Sequence, residues 1–188
     1  MEISSFEQAA ATFRTVLLGV RPDQLHEPTP CEPLDVEQLV TRAIGHQDWV
    51  RSALAGIAAS REYPRVDPAH FVTEFDQSTE AMGDELQSDG AMNRTVALAG
   101  SLTFPGSDIL ILATRNIFQF AWDLARATGQ STDLAPELAG QLLEVSRTHL
   151  VPQRGPDGFF GPEYPPSIGS TTADELAGFL GREIYKGN

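Results

Sequence analysis

Hydrophobic residues recur every three or four positions along most of the chain, which is the spacing of amphipathic α-helices. The first such run passes through Phe6, Phe13 and Leu17. Ser4 and Glu7 have the spacing of a capping box at its start, in which each side chain bonds the backbone amide of the other residue. The pattern predicts a helix close to the beginning of the chain.

The next two helices have clear start signals. Asp35 and Gln38 have capping-box spacing before a second apolar stripe, and Asp67 followed by Pro68 is a typical start for a third. The stripe of the second helix consists of Val36, Leu39, Ala43, Val50, Leu54 and Ile57, and that of the third consists of Phe71, Phe75, Met82 and Leu86.

A fourth helix is predicted from about residue 109 to residue 128. Ser107 and Asp108 provide its start, and Gly129 stands just after its end, at a position that favours glycine. Because this helix is apolar on most sides, we expect it to lie at the centre of the fold.

Two shorter helices are predicted in the C-terminal part of the chain. Pro136 lies in the first turn of one, and Thr172 with Glu175 has the spacing of a cap for another that ends at Gly181. Residues 94–102 alternate weakly between apolar and polar side chains, so this segment is either a short strand or an extended linker.

Four longer helices predict an all-α fold, a four-helix bundle over about residues 4–129 with a helical and loop elaboration over about 133–188. The length of 188 residues fits a single domain. The Pro- and Gly-rich stretch 152–169 is either a lid or a loop held against the bundle by its aromatic residues Phe159, Phe160 and Tyr164.

The composition argues against several classes of partner and cellular location. A formal net charge of -13 argues against nucleic acid and anionic membrane surfaces as partners. No apolar run approaches the roughly 18 residues of a membrane span, and Met1–Ser4 lacks the basic start of a signal peptide. The single cysteine, Cys31, rules out an intramolecular disulfide. We expect a cytoplasmic protein.

Two blocks of sequence resemble a known superfamily. Residues 122–130, Trp-Asp-Leu-Ala-Arg-Ala-Thr-Gly-Gln, resemble the signature that closes the metal-site helix of DinB/YfiT-like proteins. Residues 28–31, Pro-Thr-Pro-Cys, with Leu-Asp-Val at 34–36, resemble the entry into the second helix, and 179–182 resemble the family's ending. Within this superfamily the chain resembles actinobacterial proteins related to the N-terminal metal-binding domain of mycothiol-dependent maleylpyruvate isomerase. The resemblance implies a DinB-like four-helix bundle.

The resemblance also implies where a metal triad would lie, and there this chain departs from the family. The family holds a divalent metal with a His on the second helix and a Glu and a His on a later one, and the matching positions here are Arg42, Asn116 and Phe120. A guanidinium cannot ligate a metal, a phenyl ring has no lone pair, and an amide is a weak donor. We therefore expect no metal cofactor.

Two residues of the second helix carry the candidate chemistry. His46 lies one turn after Arg42, so both project from the same side. His46 is either a substitute ligand or general base, or a hydrogen-bonded histidine of the bundle. Arg42 either points into the former metal cavity, where Asn116 bonds it, or reaches the surface or pairs with Asp123 or Asp48.

The remaining candidates have structural interpretations beside the functional ones. Trp122 is expected to pack between helices, Trp49 to be core or cavity wall, and Asp123 to tie down a loop or a backbone amide. Cys31 precedes the N-terminus of the second helix, where a thiolate would be stabilised, but a half-buried structural cysteine is the preferred interpretation.

Three hypotheses follow. In the first, the protein is a metal-free bundle that binds a small organic molecule in the former metal cavity. The charge of Arg42 favours an anion as that molecule, and His46 is the candidate catalytic residue. In the second, it is a mycothiol-dependent transferase or isomerase whose zinc or nickel is held by His46, His70 or Asp123. In the third, it has a structural role, for instance as a homodimer. The candidate ligand-binding residues are Arg42, His46, Trp49, Asn116, Phe120 and Asp123, with Trp122 as a further wall.

Overall fold

The computed structural model describes residues 1–57, 63–99, 102–150 and 162–184. Within those ranges the chain forms six α-helices and one two-stranded antiparallel sheet. The elements are α1 (Ile3–Leu18), α2 (Val36–Leu54), α3 (Phe71–Gln87), β1 (Thr95–Ala99), β2 (Leu102–Pro105), α4 (Gly106–Ala127), α5 (Pro136–Leu150) and α6 (Thr172–Phe179).

The predicted all-α bundle is confirmed, with α4 at its centre. Helix α1 packs against α3 and α4, and α2 packs against the same two helices. Helices α5 and α6 pack on each other and on α4. The core residues Ile117, Phe118 and Trp122 of α4 are almost completely buried, because the helix has neighbours on most sides. No helix in the described ranges has the length and apolar character needed to cross a bilayer.

The weakly alternating segment before α4 is a strand, and a second strand pairs with it. Val96 lies opposite Phe104 in the hairpin, which leads directly into α4. Arg94 fixes the hairpin to the bundle, because its guanidinium lies 2.7 Å from a carboxylate oxygen of Glu85 and 2.7 Å from the carbonyl oxygen of Leu54. The hairpin therefore joins the ends of α2 and α3 to the start of α4.

The predicted cap of α2 is confirmed, and that of α1 is wrong. The Gln38 amide donates to the Asp35 carboxylate at 2.9 Å, and the Asp35 amide donates to the Gln38 side chain at 3.1 Å. Helix α1 starts at Ile3 without a side-chain cap. Ser4 lies inside the first turn rather than at the N-cap position, which Glu2 occupies, and its hydroxyl donates to the Glu2 carboxylate at 3.4 Å.

The cap of α6 lies one residue earlier than predicted. The Asp174 amide donates to the Thr171 hydroxyl at 3.1 Å, and the Thr171 amide donates to the Asp174 carboxylate at 3.0 Å. The same carboxylate accepts the indole N–H of Trp122 at 2.8 Å. This contact explains why Thr171, and not Thr172, caps α6. Asp174, at the third position of the helix, both completes the cap and bonds Trp122 of α4. Trp122 is fully buried, as expected of a residue packed between helices.

We predict that Asp174→Ala lowers the free energy of unfolding by about 2 to 3 kcal/mol, because it removes a cap and leaves the buried indole N–H of Trp122 without an acceptor. Burial acts to raise the pKa of Asp174, but the bonds from Thr171 and Trp122 outweigh it and the pKa is lowered. The stabilisation is therefore present above the ordinary aspartate pKa and is lost as the pH falls through the lower pKa of the folded state.

Urea denaturation of the original chain and the variant at pH 7 measures the loss of stability. The same comparison below pH 4 measures how much of the Asp174 contribution disappears in acid. The matched control is Glu175→Ala, which removes a neighbouring acid from the same helical turn without touching Trp122. An equal loss of stability in the two variants would contradict the role given to Asp174.

Candidate functional site

Four of the predicted site residues meet between α2 and α4. Nδ2 of Asn116 lies 2.9 Å from Nε2 of His46, and both side chains are half-buried. The imidazole of His46 also lies against two rings, with centroid distances of 5.5 Å to Trp49 and 5.9 Å to Phe120. The Phe120 contact is edge-on. These contacts form a polar pair flanked by aromatic walls.

The bond between Asn116 and His46 limits what the imidazole can do. When the amide donates to Nε2, the proton of a neutral imidazole is on Nδ1. Abstraction of a proton by Nε2 then requires Asn116 to give up its bond. One alternative from the sequence had Asn116 bonding Arg42, but in the structure its amide nitrogen faces His46.

Asp123 is bonded to a residue that the sequence analysis did not connect with it. Its two carboxylate oxygens accept the Nε–H and Nη2–H of Arg182, each at 2.8 Å, and the Gln119 amide lies 3.3 Å away. Asp123 is fully buried, and burial raises its pKa while Arg182 acts in the opposite direction. As expected of an anchor, Asp123 ties the segment after α6 to α4, so it is not the partner of Arg42.

Cys31 lies beside this ion pair and is half-buried. Burial raises the pKa of its thiol, Asp123 adds to the effect, and Arg182 and Arg42 oppose it. The thiol is therefore protonated at neutral pH and is a poor nucleophile, in agreement with the structural interpretation. It lines a pocket of about 600 Å³ with Arg126, Arg182 and Tyr164 among its other walls. Tyr164 is the described member of the aromatic loop, whereas Phe159 and Phe160 lie outside the described residues.

The side chain of Arg42 is exposed. Its guanidinium carbon lies 5.7 Å from the centre of the Tyr63 ring, which is cation–π distance. In the described ranges no carboxylate lies within ion-pair distance of it: Asp123 pairs with Arg182, and Asp48 lies 3.8 Å from Arg51. Of the two alternatives for this side chain, the structure shows the outward orientation.

A second pocket, of about 630 Å³, opens over the N-terminal half of α2. The segment that includes Tyr63 and Arg65 lies across it, and Arg65 is joined to Glu37 of α2 at 2.6 Å. Gly45 permits this close approach, because a Cβ there would lie 2.5 Å from the Tyr63 ring. Arg42 lies at the wall of this pocket.

The positions of the expected metal triad do not suit a metal in this structure. Arg42 carries a permanent positive charge, Phe120 has no donor atom, and the amide nitrogen of Asn116 faces the imidazole of His46. His70 is exposed in a short turn before α3. In the part of the chain that the structure describes, no group of three or more His, Cys, Asp or Glu side chains could hold a metal ion.

Several residues of this region were missed in the sequence analysis. Tyr63, Arg65 and Arg182 come close to α2 and α4 only through tertiary contacts, and no local pattern predicts such an approach. The helical glycine Gly45 was the available signal, since a glycine inside a helix often marks a close contact. Arg115 of α4 was also missed. It is buried, and burial lowers the pKa of its guanidinium to about 10.

The fold of this chain is similar to that of a helical enzyme of known structure. Two solved structures of mycothiol-dependent maleylpyruvate isomerase, one of them a mutant, match with a TM-score of 0.60 over 81% of this chain and 71% of theirs. The sequences are 16% identical, so the likeness shows the fold alone.

The chain belongs to the same protein family as the uncharacterized protein Rv0738 of Mycobacterium tuberculosis. The two are 35% identical over 184 residues, which are 97% of this chain and 98% of the relative. The uncharacterized protein MT0763 from another strain of that species matches over the same lengths. No family model matches the chain.

Proposed function

We propose that the protein binds a small organic molecule with an acidic group, without a metal, in the pocket over the N-terminal half of α2. The observation that carries this proposal is Arg42. Its guanidinium is exposed at the wall of a pocket of about 630 Å³ and has no carboxylate partner in the described ranges. An arginine in this position can receive a carboxylate through two parallel hydrogen bonds.

The carboxylates among the described pocket residues are bonded to groups other than Arg42. Glu37 is neutralised by Arg65, at 2.6 Å. The carboxylate of Asp35 caps α2 and lies 3.4 Å from a ring nitrogen of His26. Because both pocket carboxylates are engaged, neither competes with an incoming acid for Arg42.

The space between α2 and α4, where the resemblance places a metal, holds a polar and aromatic cluster. Asn116 bonds His46, and the rings of Trp49 and Phe120 lie against that imidazole. The ligand is therefore placed beside this cluster, against Arg42, one turn earlier on α2.

We predict that Arg42→Gln lowers the affinity for small carboxylic acids at least tenfold, because a charged hydrogen-bonded contact contributes about 1.5 to 3 kcal/mol. Arg42→Lys should retain part of it, since an ammonium keeps the charge without the bidentate geometry. Titration calorimetry of the full chain with acetate, benzoate, 2-naphthoate, succinate and phthalate provides the measurement. The control is Arg21→Gln, an exposed arginine outside the pocket that pairs with Asp23.

Two results would overturn the proposal. If none of the five acids binds at millimolar concentration, the pocket is not an acid site. If protein purified without an affinity tag contains stoichiometric zinc or nickel by elemental analysis, the metal-free part is wrong, and the mycothiol-dependent alternative becomes the better account.

A further inference from the structure

Several threonines of this protein bond their hydroxyl groups within their own helix. Five of them, inside a helix or at its end, donate to the backbone carbonyl four residues earlier, at distances from 2.7 to 3.1 Å. This is the usual local solution for a hydroxyl in a helix, because it satisfies the donor without a tertiary partner. The five residues are Thr12, Thr15, Thr114, Thr128 and Thr148. Thr79 of α3 instead bonds the side chain of Gln47 at 3.2 Å.

Thr41 of α2 departs from both arrangements. It is 9% exposed, and its Oγ1 is buried without a hydrogen-bond partner among the residues that the structure describes. Buried polar atoms in native proteins almost always have a partner, so an exception calls for an explanation. Thr41 lines the same pocket as Arg42, its neighbour in sequence. A bound molecule can supply the missing partner.

A carboxylate offers acceptor sites for both side chains. Arg42 donates through its guanidinium, and the Thr41 hydroxyl can donate to a remaining lone pair of the same group. A carboxylate has about four such acceptor sites, so it can satisfy both side chains at once. A ligand bound in this way would give Thr41 a partner that the described residues do not provide.

The charge of the pocket indicates that the ligand carries a single negative charge. Two arginines, Arg42 and Arg65, face two carboxylates, Asp35 and Glu37. Since Arg65 is already bonded to Glu37, Arg42 is the arginine among the described lining residues that is available to a ligand anion. A second negative charge on the ligand would lie near the pocket carboxylates without a cation of its own and would be repelled.

The walls of the pocket indicate the body of the ligand. The ring of Tyr63 is held against the bare backbone of Gly45, and Leu34 adds an apolar side chain to the lining. Aromatic rings interact favourably with one another in offset or edge-on geometry. A flat ring beside the carboxylate would contact Tyr63 while its acid group reaches Arg42.

We propose that the ligand is an aromatic monocarboxylic acid and that Thr41 is the residue that completes its carboxylate site. This inference rests on the proposed function and adds to it the class of the ligand and a second binding residue. It predicts a preference for benzoate and 2-naphthoate over cyclohexanecarboxylate, which lacks the aromatic ring, and over phthalate, which carries a second charge.

Substitutions at Thr41 provide the test, with calorimetry of the full chain as the measurement. Thr41→Val removes the hydroxyl at nearly constant volume and should weaken 2-naphthoate binding about 10- to 100-fold. Thr41→Ser keeps the hydroxyl and should bind within about threefold of the original chain. The control is Thr114→Val on α4, a fully buried helical threonine whose hydroxyl is bonded to the Leu110 carbonyl.

The thermal stability of the unliganded protein provides a second measurement. In it, the variant that weakens binding should be stable and the control variant should be destabilised. Thr41→Val should not lower the midpoint of thermal unfolding, because it removes a buried hydroxyl that has no partner. Thr114→Val should lower the midpoint and leave binding unchanged, because its hydroxyl is satisfied and lies on another helix.

The outcomes separate this inference from the proposed function. Loss of all acid binding in Arg42→Gln, with Thr41→Val binding 2-naphthoate normally, would leave an acid site and reject the role of Thr41. Equal or tighter binding of phthalate or cyclohexanecarboxylate would reject the ligand class. If no acid binds the original chain at all, the proposed function itself fails.

Discussion

Replacing Asp123 with alanine should lower the free energy of unfolding by about 3 to 5 kcal/mol, because removal of one partner of a buried ion pair leaves the other charge uncompensated. Asp123 is fully buried, and both of its oxygens are bonded to Arg182 at 2.8 Å. The variant also loses the bond from Gln119. Urea denaturation followed by circular dichroism measures the difference.

The pair between Arg14 and Asp76 is the natural control. It has the same two-bond geometry, at 2.8 and 3.0 Å, but both side chains are more than 40% exposed. Water screens such a pair, so Asp76→Ala should have a much smaller effect. Replacing both Asp123 and Arg182 with apolar residues, Asp123→Leu with Arg182→Met, should recover much of the loss. Equal losses in Asp123→Ala and Asp76→Ala would contradict this account.

The double variant Asn116→Glu with Phe120→His should gain a zinc site with an affinity of about micromolar or tighter, since the three side chains would then form the His, His and carboxylate set that zinc accepts. The third ligand is His46, which already lies 2.9 Å from Asn116 and has its ring 5.9 Å from that of Phe120. Elemental analysis and competition with a chromogenic chelator measure the gain.

Two controls make this experiment decisive. The single variant Phe120→His lacks the carboxylate and should bind zinc much more weakly. Adding His46→Ala to the double variant should abolish binding, because one of three ligands is lost. A folded double variant that binds no zinc would show that positions 116 and 120 do not converge on His46 in solution.

The helices were predictable because their signals are local. Asp35 and Gln38 cap α2 as their spacing indicates, and both bonds lie within a single turn. The shift of one residue at α6 has a tertiary cause, since residues 171–174 and 172–175 both have cap-like spacing. Only Asp174 also reaches the indole of Trp122, 52 residues earlier in the chain, and no local pattern contains that contact.

Four of the candidate site residues could be predicted together from the sequence, but the contacts that each of them makes could not. The sequence analysis brought together His46, Trp49, Asn116 and Phe120, and the structure places them in one cluster. The partner of Asn116 depends on how α2 and α4 rotate against each other, which a hydrophobic pattern sets only roughly. The contact between Arg42 and Tyr63 was harder still to predict, since Tyr63 approaches α2 from a segment without regular secondary structure.

The contacts after α6 have a practical consequence for anyone who shortens this chain. Arg182 supplies the counter-charge of Asp123, Arg126 donates to the backbone carbonyl of Ile184 at 2.7 Å, and the Ile184 side chain is 3% exposed. A fragment that stops at Gly181 would lose all three contacts in one cut. Expression fragments for crystallisation should therefore run past Ile184, and an affinity tag is better fused in front of Met1, whose side chain faces solvent.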